Sequence, residues 1–269
     1  MTEDGPTIVT TLRAAGCVFA EDEARVLMAT ARTATDLAAM VDRRIAGLPL
    51  EQVVGWAEFC GQRIAVDPGV FVPRRRTELL VDHATRLARG AADHVAPGGA
   101  RRRTIVVDLC CGTGAVGAAL VAAVDGVELH ATDIDPAAVR CARRNLAPIG
   151  GKVYLGDLYE PLPVALRGRV HVLAVNAPYV PTRAIGLLPA EARLHEPRVA
   201  LDGGADGLDV QRRITVAAPS WLAPGGHLLV EASDLQGPRT AETFARNGLI
   251  PSVVRSAELD ATVIIGRRP

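Results

Sequence analysis

From Thr104 to the C-terminus, short β-branched runs alternate with helical stretches, and this alternation restricts the fold more than any other feature of the chain. TIVVDL, ELHATDI, KVYLGD, VHVLAVN and HLLVEAS read as strands by length and β-branched content. AVGAALVAAV, PAAVRCARRNL and DVQRRITVAAPSWL read as the helices between or after them. Strands separated by whole helices have room for crossover connections, so the pattern predicts a mostly parallel, doubly wound α/β sheet. The tail segments SVVRS and ATVIIGR are expected to add an antiparallel hairpin at one edge.

The first part of the chain has a different period. Residues 7–48 read as helices, with Ala24, Leu27, Met28 and Ala31 on one face. TDLAAMVDRRIAG repeats the pattern, with Thr35 or Asp36 as N-cap and Gly47 as the stop. Between Val53 and Val72, apolar residues broken by Gly55, Gly61, Pro68 and Gly69 predict a short β-hairpin. RRRTELLVDHATRLARG reads as a helix, and APGGARRR, residues 96–103, as a loop. The expected organisation is a helical domain over residues 1–52, a hairpin linker over 53–73 and an α/β domain over 74–269.

Composition removes several classes of function. Lys+Arg and Asp+Glu both number 30, for a net charge of +0, and aromatics are 3% of residues. Neither a global electrostatic grip on nucleic acid nor a base-stacking platform is expected, although Arg74–Arg76 and Arg101–Arg103 leave a local contact open. The five cysteines are odd in number and lack a Cys-x-x-Cys pair, so reduced thiols are expected and a zinc knuckle is not. His83, His94, His130, His171, His195 and His227 show no metal-ligand spacing, so no metal is expected. The N-terminus MTEDGPTIVT has no secretory pattern, and no apolar run approaches ~18 residues. A cytoplasmic protein without a membrane span is the expectation. Nothing in the sequence sets the oligomeric state.

The strand ends carry the chemistry. VVDLCCGTGAVG follows the first strand of the alternation and opens a helix. Gly112 and Gly114 let backbone approach a ligand, and a helix N-terminus offers free N–H groups. Asp108, just before the loop, would repel a pyrophosphate and suits an ammonium or sulfonium. Asp133 ends the second strand of the alternation about 20 residues after the loop, where an acid accepts both ribose hydroxyls. Asp135 is placed to cap the helix starting at Pro136. Asp157 ends the third strand, where its carboxylate can take an adenine amino group while Leu158 covers the ring. Acids at three successive strand ends specify a nucleoside with a positively charged tail, which points to S-adenosylmethionine as methyl donor and S-adenosylhomocysteine as product.

The fourth strand of the alternation ends in VNAPYVPT. Asn176 is no nucleophile, but its side-chain oxygen accepts from an NH2 group, and the Ala177 carbonyl can accept the second hydrogen. Pro178 restricts Ala177 to an extended conformation, and Tyr179 can pack over a planar group. The arrangement holds a planar nitrogen toward a methyl carbon.

With these residues in place, the chain from about Arg43 to Arg267 resembles the protein-(glutamine-N5) methyltransferases that modify peptide release factors. FVPRRRTELLV is similar to that family's Pro-Arg-Pro-x-Thr-Glu segment, DLCCGTGAVG to its donor loop and VNAPYVP to its Asn-Pro-Pro-Tyr signature. HEPRVALDGGADGLDVQRRI is similar to its Glu-Pro stretch with a Gly-Gly-x-Asp-Gly-Leu turn. The resemblance implies a Rossmann-like class I methyltransferase fold, with Cys110, Cys111, Gly112, Thr113, Gly114, Asp133, Ile134, Leu158 and Asn176 at the donor. It implies Asn176 to Tyr179 at the acceptor glutamine with Phe71 nearby, and a helical domain that docks a protein substrate. Three positions depart from the family: Ala177 replaces its first signature proline, Cys110 its first loop glycine, and Arg75 the second proline of the hairpin segment. A negative φ is expected at Cys110, with a buried, unreactive thiol. The departures also admit a divergent paralogue with another acceptor. A nucleic-acid base or small-molecule amine is one alternative, and a nucleoside-binding scaffold without catalysis is another. Glu196 is left between two partners, Arg198 and the acceptor loop.

Overall fold

The computed structural model describes residues 4–92 and 103–269. Arg101, Arg102, His94 and nearly all of the expected loop at 96–103 lie outside them. The chain opens with four helices, α1 (Asp4–Ala14), α2 (Ala20–Thr30), α3 (Ala34–Ile45) and α4 (Leu50–Val54). Leu12, Ala20, Ala24 and Leu27 are fully buried between them. The buried stripe of α2 is Ala20, Glu23, Ala24 and Leu27, so Met28, expected inside, sits at its exposed margin. The N-cap of α3 is Thr33, not Thr35 or Asp36; its hydroxyl accepts from Asp36 N at 3.1 Å. Gly47 stops the helix as expected, with φ 94° just beyond it.

Arg44 is the polar centre of this helical unit and is only 7% exposed. Its guanidinium meets Glu23 at 2.5 Å and Glu191 at 2.7 Å, and donates to the Leu48 carbonyl at 3.1 Å. Burial alone would lower its pKa, but the two carboxylates outweigh that and hold it above the ordinary value.

The hairpin is shorter than expected. Strands β1 (Trp56–Phe59) and β2 (Gln62–Ala65) pair antiparallel, whereas Val53 and Val54 finish α4. Arg74 is extended, Arg75–Thr77 form a 3-10 turn, and α5 runs from Glu78 to Ala92. Then follow β3 (Thr104–Leu109), α6 (Ala115–Ala123), β4 (Val127–Asp133), α7 (Pro136–Leu146), β5 (Lys152–Leu155) and β6 (Val170–Val175). The chain finishes with α8 (Ala190–His195), α9 (Arg198–Leu201), α10 (Asp209–Trp221), β7 (Leu222–Ala232), α11 (Gly237–Arg246), β8 (Ile250–Ser256) and β9 (Ala261–Arg267).

Seven strands form one sheet in the order β5-β4-β3-β6-β7-β9-β8. The first five are parallel, and β9 runs antiparallel to both β7 and β8, as the tail hairpin required. Every residue of β3 is buried, as expected of a central strand covered on both faces. Val106 faces the cluster built with Leu80, Ala84 and Ala118, whereas Ile105, Val107 and Leu109 face Ile214, Ala218 and Trp221. Successive connections leave β3 in opposite directions, to β4 on one side and eventually to β6 on the other. The crevice of a doubly wound sheet opens at that reversal, beyond the C-terminal ends of the strands.

Candidate active site

The register brings the expected residues to one level. Leu109 pairs with Thr132 on one side and Val175 on the other, so Cys110, Asp133 and Asn176 follow side by side. On the next strand Asp133 pairs with Leu155, two residues before Asp157. All the sequence-predicted donor and acceptor residues, Gly114 excepted, line one cavity of ≈ 410 Å³, from Phe71 and Asp108 through Asp157 and Leu158 to Tyr179. That volume is within the range of small-ligand sites, roughly 300–1,000 Å³.

The loop after β3 is a tight turn into α6. Cys110 has φ +57°, and Gly112 and Gly114 have φ +54° and +78°. The negative φ expected at Cys110 is therefore wrong: this position needs the left-handed backbone that a glycine supplies, and a cysteine there carries about 1–2 kcal/mol of strain. Leu158 is also left-handed, with φ +49°. Cys60 and Asp260 are left-handed as well, but of these four residues only Cys110 and Leu158 line the cavity. Burial pushes the Cys110 and Cys111 thiols well above their ordinary range, so neither is a ready nucleophile.

Asp108 is 2% exposed, and its Oδ2 accepts from Gly117 N at 3.0 Å. Burial pushes its pKa up to about 7; the Gly117 bond opposes the shift and the nearby Asp133 adds to it. Gly117 is fixed by the same approach, since a Cβ there would lie 2.9 Å from Leu129. Asp133 takes Gly112 N at 2.8 Å on Oδ2 and Asp135 N at 2.9 Å on Oδ1. Its pKa is also raised, chiefly by burial. Asp135 caps α7 by accepting from Ala137 N at 2.8 Å. Thr132 Oγ1, in the cavity wall, is buried without a hydrogen-bond partner. Two buried carboxyls without an ion-pair partner among the described residues, together with an orphaned hydroxyl, suit a cationic ligand rich in hydroxyls. Asp157 is engaged by Arg213 of α10, a partner the sequence did not reveal.

On the other side of the cavity, Asn176 Nδ2 donates to Thr77 Oγ1 at 3.1 Å. The amide nitrogen is thus engaged by a neighbour in the cavity wall, which leaves Oδ1 for a ligand. Ala177 is 1% exposed, and Tyr179 OH donates to Glu231 Oε1 at 3.3 Å. The Tyr179 carbonyl accepts from Gln236 Nε2 at 2.9 Å. The Gly-Gly-x-Asp-Gly-Leu turn backs this segment, since a Cβ on Gly207 would fall 2.3 Å from the Tyr179 carbonyl. The Arg74 guanidinium carbon lies 5.0 Å from the Phe71 ring centroid. Glu196 has neither partner that the sequence suggested: its Oε1 takes Val72 N at 3.1 Å and Arg74 Nη2 at 2.6 Å, while Arg198 pairs with Asp202.

The Methyltransferase small domain family matches residues 62–192. A release factor glutamine methyltransferase of Geobacter sulfurreducens is 37% identical over 211 residues, which cover 78% of this chain and 69% of that protein. One of Gloeobacter violaceus is 37% identical over 236 residues, 85% of this chain and 78% of that protein. The chain belongs to the release factor glutamine methyltransferase family. It is an S-adenosylmethionine-dependent methyltransferase. A 4-amino-L-phenylalanine/4-methylamino-L-phenylalanine methyltransferase of Streptomyces pristinaespiralis is 35% identical over 213 residues, 77% of this chain and 69% of that protein.

In this methyltransferase, Thr77 and Glu231 join Arg213 as polar residues of the site that the sequence did not single out. Glu231 was visible as an acid inside the apolar strand HLLVEAS, a pattern that signals a paired buried carboxylate. Among the described residues no cluster of three or more His, Cys, Asp or Glu could hold a metal, and no helix is long and apolar enough to cross a membrane.

Proposed function

We propose that this protein transfers a methyl group from S-adenosylmethionine to the side-chain amide nitrogen of a glutamine in a protein, and that the protein is a peptide release factor. The observation that carries the reading is the Asn176 amide, whose nitrogen is committed to Thr77 and whose oxygen is left for an N–H donor at the level of the donor loop.

The donor supplies a methyl group activated by a sulfonium. Asp108, Cys110, Cys111, Gly112, Thr113 and Gly114 hold its amino-acid end, Asp133 and Ile134 its ribose, and Asp157 and Leu158 its adenine. Asn176 Oδ1 and the Ala177 carbonyl accept the two N–H groups of the glutamine amide and aim its nitrogen at the methyl carbon. Pro178 holds the Ala177 carbonyl in that direction, and Tyr179 and Phe71 flank the planar amide. Orientation of this kind supplies up to ~7–11 kcal/mol of the barrier. No general base and no metal are required, because a methylated amide cation is a strong acid that gives up its proton to solvent.

A protein acceptor is supported by exposed apolar residues on the helical unit and on the segment after the acceptor turn, Val18, Phe19, Leu187 and Leu194. In this reading residues 1–52 dock the release factor, residues 53–73 form the hairpin linker, and residues 74–269 carry the chemistry. The five cysteines, all free, suit a reducing cytoplasm.

The test is incubation with labelled donor in parallel with unmethylated release factor, 4-amino-L-phenylalanine and cellular RNA. A methyl group on one release-factor glutamine, located by tandem mass spectrometry, is the expected result. Label in RNA or in the free amino acid alone would overturn the acceptor, and label in none of the three would favour a scaffold.

A further inference from the structure

Asn176 can serve an N–H donor only if its amide presents oxygen, not nitrogen, to the cavity. An amide in a turn has two orientations of nearly equal shape, so something must choose between them. Thr77 lies beside the amide in the cavity wall, is 3% exposed, and receives Nδ2 at 3.1 Å. A hydroxyl that accepts from Asn176 still has its own proton to place, and a buried hydroxyl without an acceptor is costly.

Glu231 is the group that faces it. Val175 pairs with Val230, so the residues that follow, Asn176 in the cavity lining and Glu231 outside it, lie side by side. Glu231 is 2% exposed and does not line the cavity itself. Its Oε1 takes the Tyr179 hydroxyl at 3.3 Å. Among the described residues Glu231 Oε2 is buried with no hydrogen-bond partner, so it has capacity for the Thr77 proton; burial raises the pKa of this carboxyl, and the nearby Thr77 hydroxyl, Arg76 and the Tyr179 hydroxyl oppose that rise. Both ends of the Asn-Ala-Pro-Tyr turn therefore converge on one acid.

We propose that Glu231 and Thr77 are positioning residues: the carboxylate takes the Thr77 proton, which obliges Thr77 to accept from Asn176 Nδ2 and so turns Asn176 Oδ1 into the cavity. This rests on the acceptor role proposed above for Asn176. Thr77 is a buried part of the cavity wall and Glu231 lies outside the lining; both act by fixing the polarity of Asn176. Glu231 also anchors the Tyr179 ring at the opposite end of the turn.

The relay has a direction, and an isosteric change reverses it. In Glu231→Gln, an amide nitrogen turned toward Thr77 donates to its hydroxyl, which then donates to Asn176 and draws Oδ1 away from the cavity. Thr77→Val keeps the shape and deletes the link, whereas Thr77→Ser keeps the hydroxyl.

The experiment compares wild type, Thr77→Val, Thr77→Ser, Glu231→Gln and Asn176→Ala, each with its thermal midpoint and S-adenosylhomocysteine affinity. With unmethylated release factor as acceptor, Thr77→Val and Glu231→Gln are expected to lower kcat by about 100-fold, with acceptor KM and donor affinity within about threefold. Thr77→Ser should stay within about threefold of wild type throughout. In donor-bound protein, the Asn176 side-chain NH2 signals should exchange slowly in wild type and Thr77→Ser and rapidly in Thr77→Val. Unchanged kcat in both Thr77→Val and Glu231→Gln, or unchanged Asn176 NH2 exchange in Thr77→Val, would overturn the relay. Full turnover by Asn176→Ala would instead remove the acceptor role on which it rests. The exchange measurement decides the relay whatever the acceptor proves to be.

Discussion

With Asp108 at the cationic end of the donor, as proposed, donor binding depends on pH through this carboxyl. Its carboxyl is 2% exposed, holds one backbone N–H at 3.0 Å, and has its pKa pushed to about 7, chiefly by burial. In the donor-free protein at about pH 6, roughly one Asp108 in eleven is ionised. A cationic ligand selects the ionised form, so apparent affinity falls by the fraction that is competent. Binding should weaken by about tenfold at pH 6 and about 100-fold at pH 5, and level off above pH 7. Above about pH 8, loss of the ligand's own ammonium proton would weaken it again. Calorimetry with S-adenosylhomocysteine, which keeps that ammonium, should show nearly one proton released per ligand bound at pH 6, measured in buffers of different ionisation enthalpy. Asp133, the neighbouring acid with a raised pKa, adds to the slope at lower pH, so Asp108→Asn is the control. That variant should bind weakly at pH 8 and lose most of the slope between pH 6 and 7. Its stability should also change in a defined sense. A carboxyl whose folded pKa is raised favours folding most below its unfolded value near 4 and loses that contribution as pH rises to about 7. Donor-free Asp108→Asn, which keeps an acceptor for Gly117 N, should therefore be more stable than wild type at pH 8, on the order of 2–4 kcal/mol. Donor affinity that is flat from pH 5 to 7, or an equal slope in the Asn variant, would refute the reasoning.

Two further outcomes follow from the same geometry. Asp133→Ala removes a carboxylate that fixes Gly112 N and Asp135 N and faces the cavity, and should weaken S-adenosylhomocysteine roughly 10- to 100-fold in calorimetry with little change in fold by circular dichroism. Arg44→Ala leaves Glu23 buried without its cation and should lower urea-unfolding stability by about 3–5 kcal/mol, whereas removal of the exposed Arg25 should make no measurable difference.

Most of the site was legible because the parallel sheet converts strand order into neighbourhood. Once TIVVDL, ELHATDI, KVYLGD and VHVLAVN are strands of one sheet, their C-terminal residues share a crevice, and Asp108, Asp133, Asp157 and Asn176 fall together without knowledge of any side-chain contact. What escaped depends on distant chain or on backbone sign. Thr77 enters from a segment that precedes the whole sheet, Glu231 depends on the β6–β7 register, and Arg213 reaches Asp157 from α10, 56 residues later. The φ of Cys110 was misjudged because a cysteine ordinarily avoids the left-handed region, and here the turn geometry prevails over the residue's preference. Thr33 was missed as a cap because two other polar candidates follow it, and only the bond to Asp36 N separates them.

The proposed role of Asn176 is to position the acceptor nitrogen, with donor binding left to the other residues of the cavity. It is tested most directly by measuring kcat with release factor and Kd for S-adenosylhomocysteine on Asn176→Ala. The expected result is a fall in kcat of about 10²- to 10³-fold with Kd within twofold of wild type. A variant that loses donor binding in parallel with turnover, or that turns over normally, would contradict it.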